Sequence, residues 1–568
     1  MEKSEKVEVE RIGGVPFIME MLSEMCLSEK IDKHYPSHGN WEGLSKGNVV
    51  CLWLSYIIIN CDHRLSYVSD WVESLEHSLG YLLGETVRQE DVSDDKLGHL
   101  LDEFSDIEIW SELEKDVNRC FIRAYDLNTA VVQLDPTIGK SFRKVIKEGL
   151  FQYGASKQFR QDLPQFKTIL ANLEEGNIPL TSITVSGEQA DDVLYLPIIN
   201  QAKASLDRNG ILWVGDVKLG SLSNRASIVK LEDFYLSPLS QVQLPKEKLL
   251  ADYLSKVLDG SQELEEISRN GKVIGQGYEL SHQQCYQDQK WIERQLVVKS
   301  ENYAIAQQKS LTKRLEKATK QLNSLNERKS GKKRYKTQQE LQEAIAQILT
   351  KNKVSGLIEV ETKISYEEKK INGYKNKGTR IERKMDYQVK PSINTQALLQ
   401  QQNILGWRVY VTNQEQAVLS IEKAMVLYRE EYKIERRIRN LKEEVTKLLP
   451  IFLKKEKRVK GLINLLMLAL KIIAGFEYKV AQELAKTGEQ LGGIYPGNPK
   501  ITTANPTITK MMQAFKNFSL VFIFDAQKVV SVMAQELNMV QRKIIQLSQL
   551  KIDIFNINNS LVEQFNST

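Results

Sequence analysis

Three acidic residues, Asp135, Asp216 and Glu435, stand where side chains of their type can do chemistry. Asp135 follows the short β-branched run Val131-Val132-Gln133-Leu134, and Asp216 follows the apolar run Ile211-Leu212-Trp213-Val214-Gly215. Glu435 lies in a helical stretch after a later strand-like run. Singly each has an ordinary explanation, since Asp is frequent at strand ends and turns and Glu is a good helix former. Together they are hard oxygen donors converging on a sheet edge, the set that two divalent cations need for in-line displacement at phosphorus. Histidine does not compete for that role. The six imidazoles are at positions 34, 38, 63, 77, 99 and 282, so residues 100–281 and everything after His282 have no His base and no His-ligated zinc.

Around Glu435 the chain reads Tyr428-Arg429-Glu430-Glu431-Tyr432-Lys433-Ile434-Glu435-Arg436-Arg437-Ile438-Arg439-Asn440-Leu441-Lys442. On an unbroken helix Tyr428, Glu435 and Lys442, each two turns from the next, share one face with a small drift. A phenol, a carboxylate and an ammonium then line up, while Ile434, Ile438 and Leu441 form the apolar stripe that packs the helix on a sheet. Without a partner motif the same pattern is an ordinary charged helix face.

The elements that must position these groups can be read from periodicity. Residues 1–125 read as helical throughout, with apolar residues three and four apart in Val15–Leu22 and Val49–Ile59 and turn-rich breaks at Pro36–Asn40 and Ser93–Asp95. At Ala130 the period changes to that of strands, and Pro136, which cannot donate to a ladder, predicts a strand end at Asp135. A hairpin follows, Lys167–Leu173 and Ile178–Val185 around the Gly176 turn, then a helix from Asp191-Asp192 to about Leu206, and the strand ending at Asp216. Residues 126–234 are thus the first half of an α/β core. Strand-like runs at Lys272–Glu279 and Trp291–Val298 predict a β-rich insertion over 235–400. Inside it Leu311, Leu315, Ala318, Leu322 and Leu325, then Leu341, Ile345 and Ile348, predict an antiparallel coiled-coil arm over about 303–354. The sheet resumes at Trp407–Val411, Ser420 caps a long helix from Ile421 to about Lys447, and 401–480 form the second half of the core. A short strand at Leu520–Phe524 interrupts an otherwise helical C-terminal region, 481–568.

Composition limits the reading further. The 568 residues are 42% hydrophobic and 27% charged, which is globular rather than disordered. A net charge of +5 is too small to establish a polyanion partner, so local clusters must carry that argument. One cluster is the arm tip, Lys329–Lys336, whose Lys332, Lys333 and Arg334 can contact phosphate or form a solvated turn. Five cysteines with no CxxC pair read as reduced thiols. The opening residues lack the order of a secretory signal, and the apolar runs Val49–Ile59 and Leu462–Ile473 read as buried core helices, so no membrane partner is expected.

The helix around Glu435 resembles the Tyr-x2-Arg-x3-Glu-x6-Lys signature of insertion-sequence DDE transposases, with Tyr428, Glu435 and Lys442 in register and Glu431 at the arginine position. The resemblance extends to Leu134-Asp135-Pro136-Thr137, Gln161–Lys167, Val214–Lys218, Gly406–Asn413 and Gly497–Lys500, and, over about Val7–Gly80, to the subgroup with an added N-terminal helical domain. It implies a ribonuclease-H-like mixed-sheet core interrupted after its fourth strand by the β-rich insert, and cut-and-paste transposition. On that reading Asp135, Asp216 and Glu435 hold two Mg²⁺ or Mn²⁺ ions, and Tyr428 and Lys442 contact the backbone of the element's end. Double-stranded DNA, both element ends and target, is the expected partner. A homodimer in the synaptic complex and a cytoplasmic, nucleoid-associated location are expected with it. The N-terminal domain, carrying Lys33, His34, Lys46, His63 and Arg64 on or near its turns, is expected to bind the ends. The alternatives are a stand-alone metal-dependent nuclease of the same core and a domesticated, non-catalytic DNA-binding protein.

Overall fold

The computed structural model describes residues 6–154, 160, 162–328, 334–371, 380–526 and 528–556. Two compact units emerge, one of Met1–Ser237, Gln284–Trp291 and Leu427–Thr568, the other of Pro238–Gln283 and Ile292–Val426.

The first unit opens with a strand, β1 (Lys6–Glu10), where the sequence predicts helix throughout. Val7 and Val9 alternate with Glu8 and Glu10, a period of two that a five-residue run shows only weakly. Seven helices follow: α1 (Val15–Glu24), α2 (Leu27–His34), α3 (Lys46–Asn60), α4 (Val68–Glu73), α5 (Glu76–Leu83), α6 (Asp94–Phe104) and α7 (Ile107–Tyr125). Ser45 caps α3 by accepting from the Asn48 N–H at 3.2 Å, and the helix behind that cap is apolar almost all round and buried.

Next come β2 (Val131–Lys140), β3 (Gln165–Leu173), β4 (Pro179–Ser186), α8 (Tyr195–Leu206), β5 (Leu212–Gly215), α9 (Leu222–Lys230) and β6 (Phe234–Pro238). Their spatial order is β4-β3-β2-β5-β6, with β3 antiparallel to β2 and β4, and β2, β5 and β6 parallel. The sheet is mixed and the unit is α/β. The β3–β4 turn holds Gly176 at φ +66, the left-handed conformation the hairpin reading requires.

Two expectations change here. The first strand does not end at Asp135 but runs through Pro136, paired with Ile169, to Lys140. β5 pairs with β2 only as far as Leu134, so beyond that point β2 has a single partner and a missing N–H is tolerated on the open side. Moreover, a fifth strand, β6, parallel to β5, precedes the second unit, so the interruption follows five strands rather than four.

The second unit contains the short helices α10 (Lys246–Lys248) and α11 (Ser255–Leu258), the strands β7 (Glu265–Arg269), β8 (Lys272–Tyr286) and β9 (Gln289–Lys299), and the long helices α12 (Glu301–Ser324) and α13 (Gln338–Lys351). After them come β10 (Ile358–Ile371), β11 (Arg380–Ile393), α14 (Thr395–Asn403) and β12 (Trp407–Thr412). Strands β12-β9-β8-β7 lie side by side, and β10 pairs antiparallel with β11. The predicted seam is present: Leu311, Leu315, Ala318, Leu322, Leu341 and Ile345 are buried, with Leu325 and Ile348 partly so. The arm is not a bare coiled coil, however. Ile358 and Val389 of the β10–β11 hairpin join the same core, and Asn326 bonds both the N–H and the carbonyl of Val389 at 2.7 Å.

The chain returns through α15 (Ile421–Arg429), α16 (Tyr432–Arg439), α17 (Glu456–Thr487), β13 (Leu491–Gly492), β14 (Thr502–Thr503), α18 (Ile508–Gln513), β15 (Leu520–Asp525), β16 (Lys528–Ala534) and α19 (Met539–Ser548). The C-terminal region is therefore not simply helical. β15 pairs antiparallel with both β16 and β1, with Lys6 opposite Phe524 and Glu10 opposite Leu520. Its closing partner lies some 500 residues away in sequence, beyond the reach of local patterning.

Helix α17 is the axis of this unit and packs on α3, α6, α7, β4 and α19. It is long and apolar enough to cross a membrane, and 94% of that apolar window is buried inside the protein, so it is a core helix. Gly461 lets it approach α6 closely, because a Cβ there would lie 2.0 Å from the Leu101 carbonyl oxygen. Phe17 of α1 packs on Phe476 of α17 and on Phe515, with ring centroids 5.6 and 4.8 Å away.

Candidate active site

Asp135 and Asp216 are brought together by strand pairing alone. β2 and β5 run parallel with Leu134 opposite Gly215, so the next residue of each chain is an aspartate at the point where the pairing ends. Neighbouring strands lie about 4.8 Å apart, which sets the two backbones within reach of one small ligand. Both side chains are half-buried. Carboxyl ends of adjacent parallel strands are where open α/β sheets gather functional groups.

Asp216 is held firmly. Its Oδ1 accepts from the Tyr195 hydroxyl and from the Lys218 N–H, both at 2.7 Å, and its carbonyl accepts from Ser237 Oγ at 2.8 Å. Tyr195 begins α8 and is fully buried. Burial, then the charges of Asp216 and Asp135, push its phenol well above the usual tyrosine range, so it remains a proton donor. Nothing in the sequence near Tyr195 announces this role. Its one signal is a tyrosine in the first turn of a helix that follows an acidic pair, Asp191-Asp192.

The long helix expected from Ile421 to Lys447 is broken. Ser420 caps its start as predicted, accepting from the Lys423 N–H at 3.2 Å. The winding tightens at Glu430 and Glu431, whose N–H groups reach back three residues to Leu427 and Tyr428. Farther on it widens to a π-turn over Asn440–Glu444. The three residues meant to share one face meet different surroundings: Tyr428 is buried, Glu435 exposed and Lys442 half-buried.

Helix α16 packs on β2 and is fixed by two cations. Lys433 reaches Glu174 at 2.9 Å and Glu430 at 2.7 Å. Burial would lower its pKa, but the two carboxylates raise it. Arg437 bonds the Asn177 carbonyl at 3.1 Å and Glu477 at 2.9 Å. These anchors turn Lys433 and Arg437 inward and leave Glu435 on the exposed side. Lys442 lies over the strand that carries Asp135, its Nζ 3.4 Å from Thr137 Oγ1. Burial lowers its pKa, with Asp135 and Glu443 opposing.

Two carboxylates on neighbouring strands, where their parallel pairing ends, suit a hard cation such as Mg²⁺ or Mn²⁺ in kind. Among the described residues, however, no three His, Cys, Asp or Glu side chains are gathered closely enough to hold a metal ion. Asp135 and Asp216 are thus brought to one edge, and Glu435 is not gathered with them.

The basic residues singled out in the N-terminal helices are engaged elsewhere. Lys33 and His34 both bind Asp116, at 2.8 and 2.9 Å. Lys46 is buried against Glu103 at 2.6 Å, and Arg64 pairs with Asp62 at 2.6 Å. His63 is buried, its Nδ1 3.2 Å from the Thr446 carbonyl, and burial lowers its pKa. At the arm tip Arg334 is exposed, while Lys332 and Lys333 lie outside the described residues.

No curated protein matches the chain. A family described as a domain of unknown function (DUF4277) matches residues 7–115, a span that runs from within β1 into α7 and stops short of both aspartates.

Proposed function

We propose that the protein is a DDE transposase that cuts the ends of its own element and joins them to target DNA. The observation that carries the proposal is the adjacency of Asp135 and Asp216 at the point where the parallel pairing of β2 with β5 ends. The order β4-β3-β2-β5-β6, with one antiparallel neighbour on β2, is the order a ribonuclease-H-like core calls for and supports the same reading.

In this proposal Asp135 and Asp216, joined by Glu435 once DNA binding draws α16 toward them, would be the ligands of two Mg²⁺ or Mn²⁺ ions. Bound there, such ions supply Lewis-acid stabilisation of a reacting phosphate and an activated hydroxyl. Tyr195 holds one oxygen of Asp216 and so fixes the orientation of the other. Lys442, beside Asp135, is a point charge for the phosphate backbone, and Tyr428, Lys332, Lys333 and Arg334 are further DNA contacts. Joining two ends calls for a homodimer on DNA, and the site of action is the nucleoid.

Incubating purified protein with element-end duplexes and Mg²⁺, followed by a denaturing gel, tests the proposal. Nicked strands ending in 3′-hydroxyls, together with joined products, are expected. Asp135→Asn, Asp216→Asn and Glu435→Gln should each remove both products while leaving DNA binding in place, because the charge is lost without unpacking the sheet. Cleavage within tenfold of wild type in any one variant removes that residue from the site. Nicking without joining would identify the nuclease alternative, and binding without either product the non-catalytic one.

A further inference from the structure

In the second unit, one side of the helical arm carries a groove of about 600 Å³ between α12 and the end of α13. Lys309, Lys313, Arg314 and Lys317 line one wall, Lys351 and Lys353 the other, and the remaining lining residues are Ala306, Ser310 and Asn352. No carboxylate lines it among the described residues. Glu316, the acid nearest along α12, lines a different groove with Thr312, Leu315 and Lys320.

Five of the six cations are exposed and form no ion pair among the described residues. The sixth, Arg314, is half-buried and donates to the Lys353 carbonyl at 3.0 Å, which fixes the two walls to each other. Lys309, Lys313 and Lys317 recur every four residues, so they form one row rising about 6 Å per step. Like charges at that spacing repel and weaken a helix, and no packing role offsets the repulsion, since the seam residues Leu311, Leu315 and Ala318 lie on another face. An extended polyanion laid along the row relieves it. A membrane surface fits less well, because Ala306 is the only apolar side chain lining the groove among the described residues and interfacial binding needs apolar anchors.

We propose that this groove, at the root of the arm, binds the phosphate backbone of duplex DNA without reading sequence. The choice of DNA rests on the transposase reading, whereas the presence of a polyanion site rests on the groove itself.

The test uses the full chain and a 30-bp duplex of arbitrary sequence, with affinity measured by fluorescence anisotropy across a salt series. Each phosphate contact contributes about 0.9 to the slope of log affinity against log salt. The triple variant Lys309→Gln, Lys313→Gln, Lys317→Gln should flatten that slope by up to about 2.7, equivalent to a loss of up to a few hundredfold at 0.1 M salt. Lys351→Gln with Lys353→Gln, on the other wall, should flatten it by up to about 1.8 and stands in if the triple variant fails to fold. An equal-charge control, Lys248→Gln, Lys256→Gln, Lys272→Gln, should leave it unchanged. If wild type binds with a steep slope that neither groove variant alters, the groove proposal is overturned and the DNA reading stands. If wild type shows no salt-sensitive duplex binding, the DNA reading itself fails. Binding to phosphatidylserine vesicles that depends on the groove while duplex binding does not would also overturn the proposal.

Discussion

Tyr195 and Asp216 form a unit in which the phenol touches one carboxylate oxygen and positions the rest. Tyr195→Phe deletes the hydroxyl and keeps the ring that fills the space under α8. Loss of a group that orients a metal ligand lowers metal affinity or activity by about 10–100-fold. The variant should therefore need a higher Mg²⁺ concentration for half-maximal cleavage, while its melting temperature stays near wild type; an unchanged Mg²⁺ dependence would make Tyr195 a packing residue only. A second buried pair concerns stability alone. Lys471 of α17 bonds Asn118 and faces Glu114, and burial pushes its pKa down to about 8. Lys471→Met leaves Glu114 buried without a counter-charge and should cost about 3–5 kcal/mol in urea unfolding. The unfolded lysine titrates near 10.4, so between about 8 and 10 the unfolded chain binds more protons at this site and Lys471's own contribution to stability rises with pH. In the Met variant that rise should disappear. At this scale the sequence made Asp135 and Asp216 legible because each follows an apolar run, even though the strand that begins with Val131 continues through Asp135. Tyr195 was not legible, because its partner is 21 residues away and only the α8–β5 crossing joins them.

Elements were legible where one period dominates. The hairpin of β3 and β4, the buried helix α3 and the seam of α12 and α13 each follow from spacing, and each is present. Periodicity fails where winding changes within a continuous pattern, as between Tyr428 and Lys442, since a tight turn and a π-turn leave composition untouched. It also fails in β10 and β11. Val360, Thr362, Ile364 and Tyr366 do alternate, but interleaved Glu and Lys on the other face mask the signal, and the helical seam next to it dominates the reading. Because the arm's core includes that hairpin, the arm is a three-part element rather than a free coiled coil. Leu341→Ala, at a fully buried position, should then cost about 2–5 kcal/mol and weaken the hairpin as well as the helices. Amide exchange at Val389, whose N–H is held by Asn326, reads the coupling directly; exchange that stays at the wild-type rate would mean that helices and hairpin open independently.

For the molecule as a whole, sequence composition suggests a detachable helical domain up to residue 125, yet those helices share their core with residues far downstream. Gly461 sits against Leu101, Asn464 donates to the Phe104 carbonyl at 2.9 Å, Arg458 pairs with Asp102 at 3.0 Å, and Phe476 meets Phe17. β1 is hydrogen-bonded to β15, and Glu10 at its end accepts from the N–H groups of His77 and Ser78 in the first turn of α5. Removing residues 1–127 would leave the apolar surface of α17 without its cover. Uncovering even four side chains such as Leu462, Leu465, Ile472 and Phe476, at about 1.5–3 kcal/mol each, amounts to about 6–12 kcal/mol. That matches the whole stability of a typical domain, about 5–15 kcal/mol. The truncated chain should therefore lose its cooperative melting transition and bind a hydrophobic dye, rather than persist as a folded core that has lost only its grip on DNA. A soluble truncation melting within a few degrees of wild type would show that the N-terminal helices are a separate domain after all. In the expected case, a role for these helices in end binding must be sought with surface point variants in the intact chain.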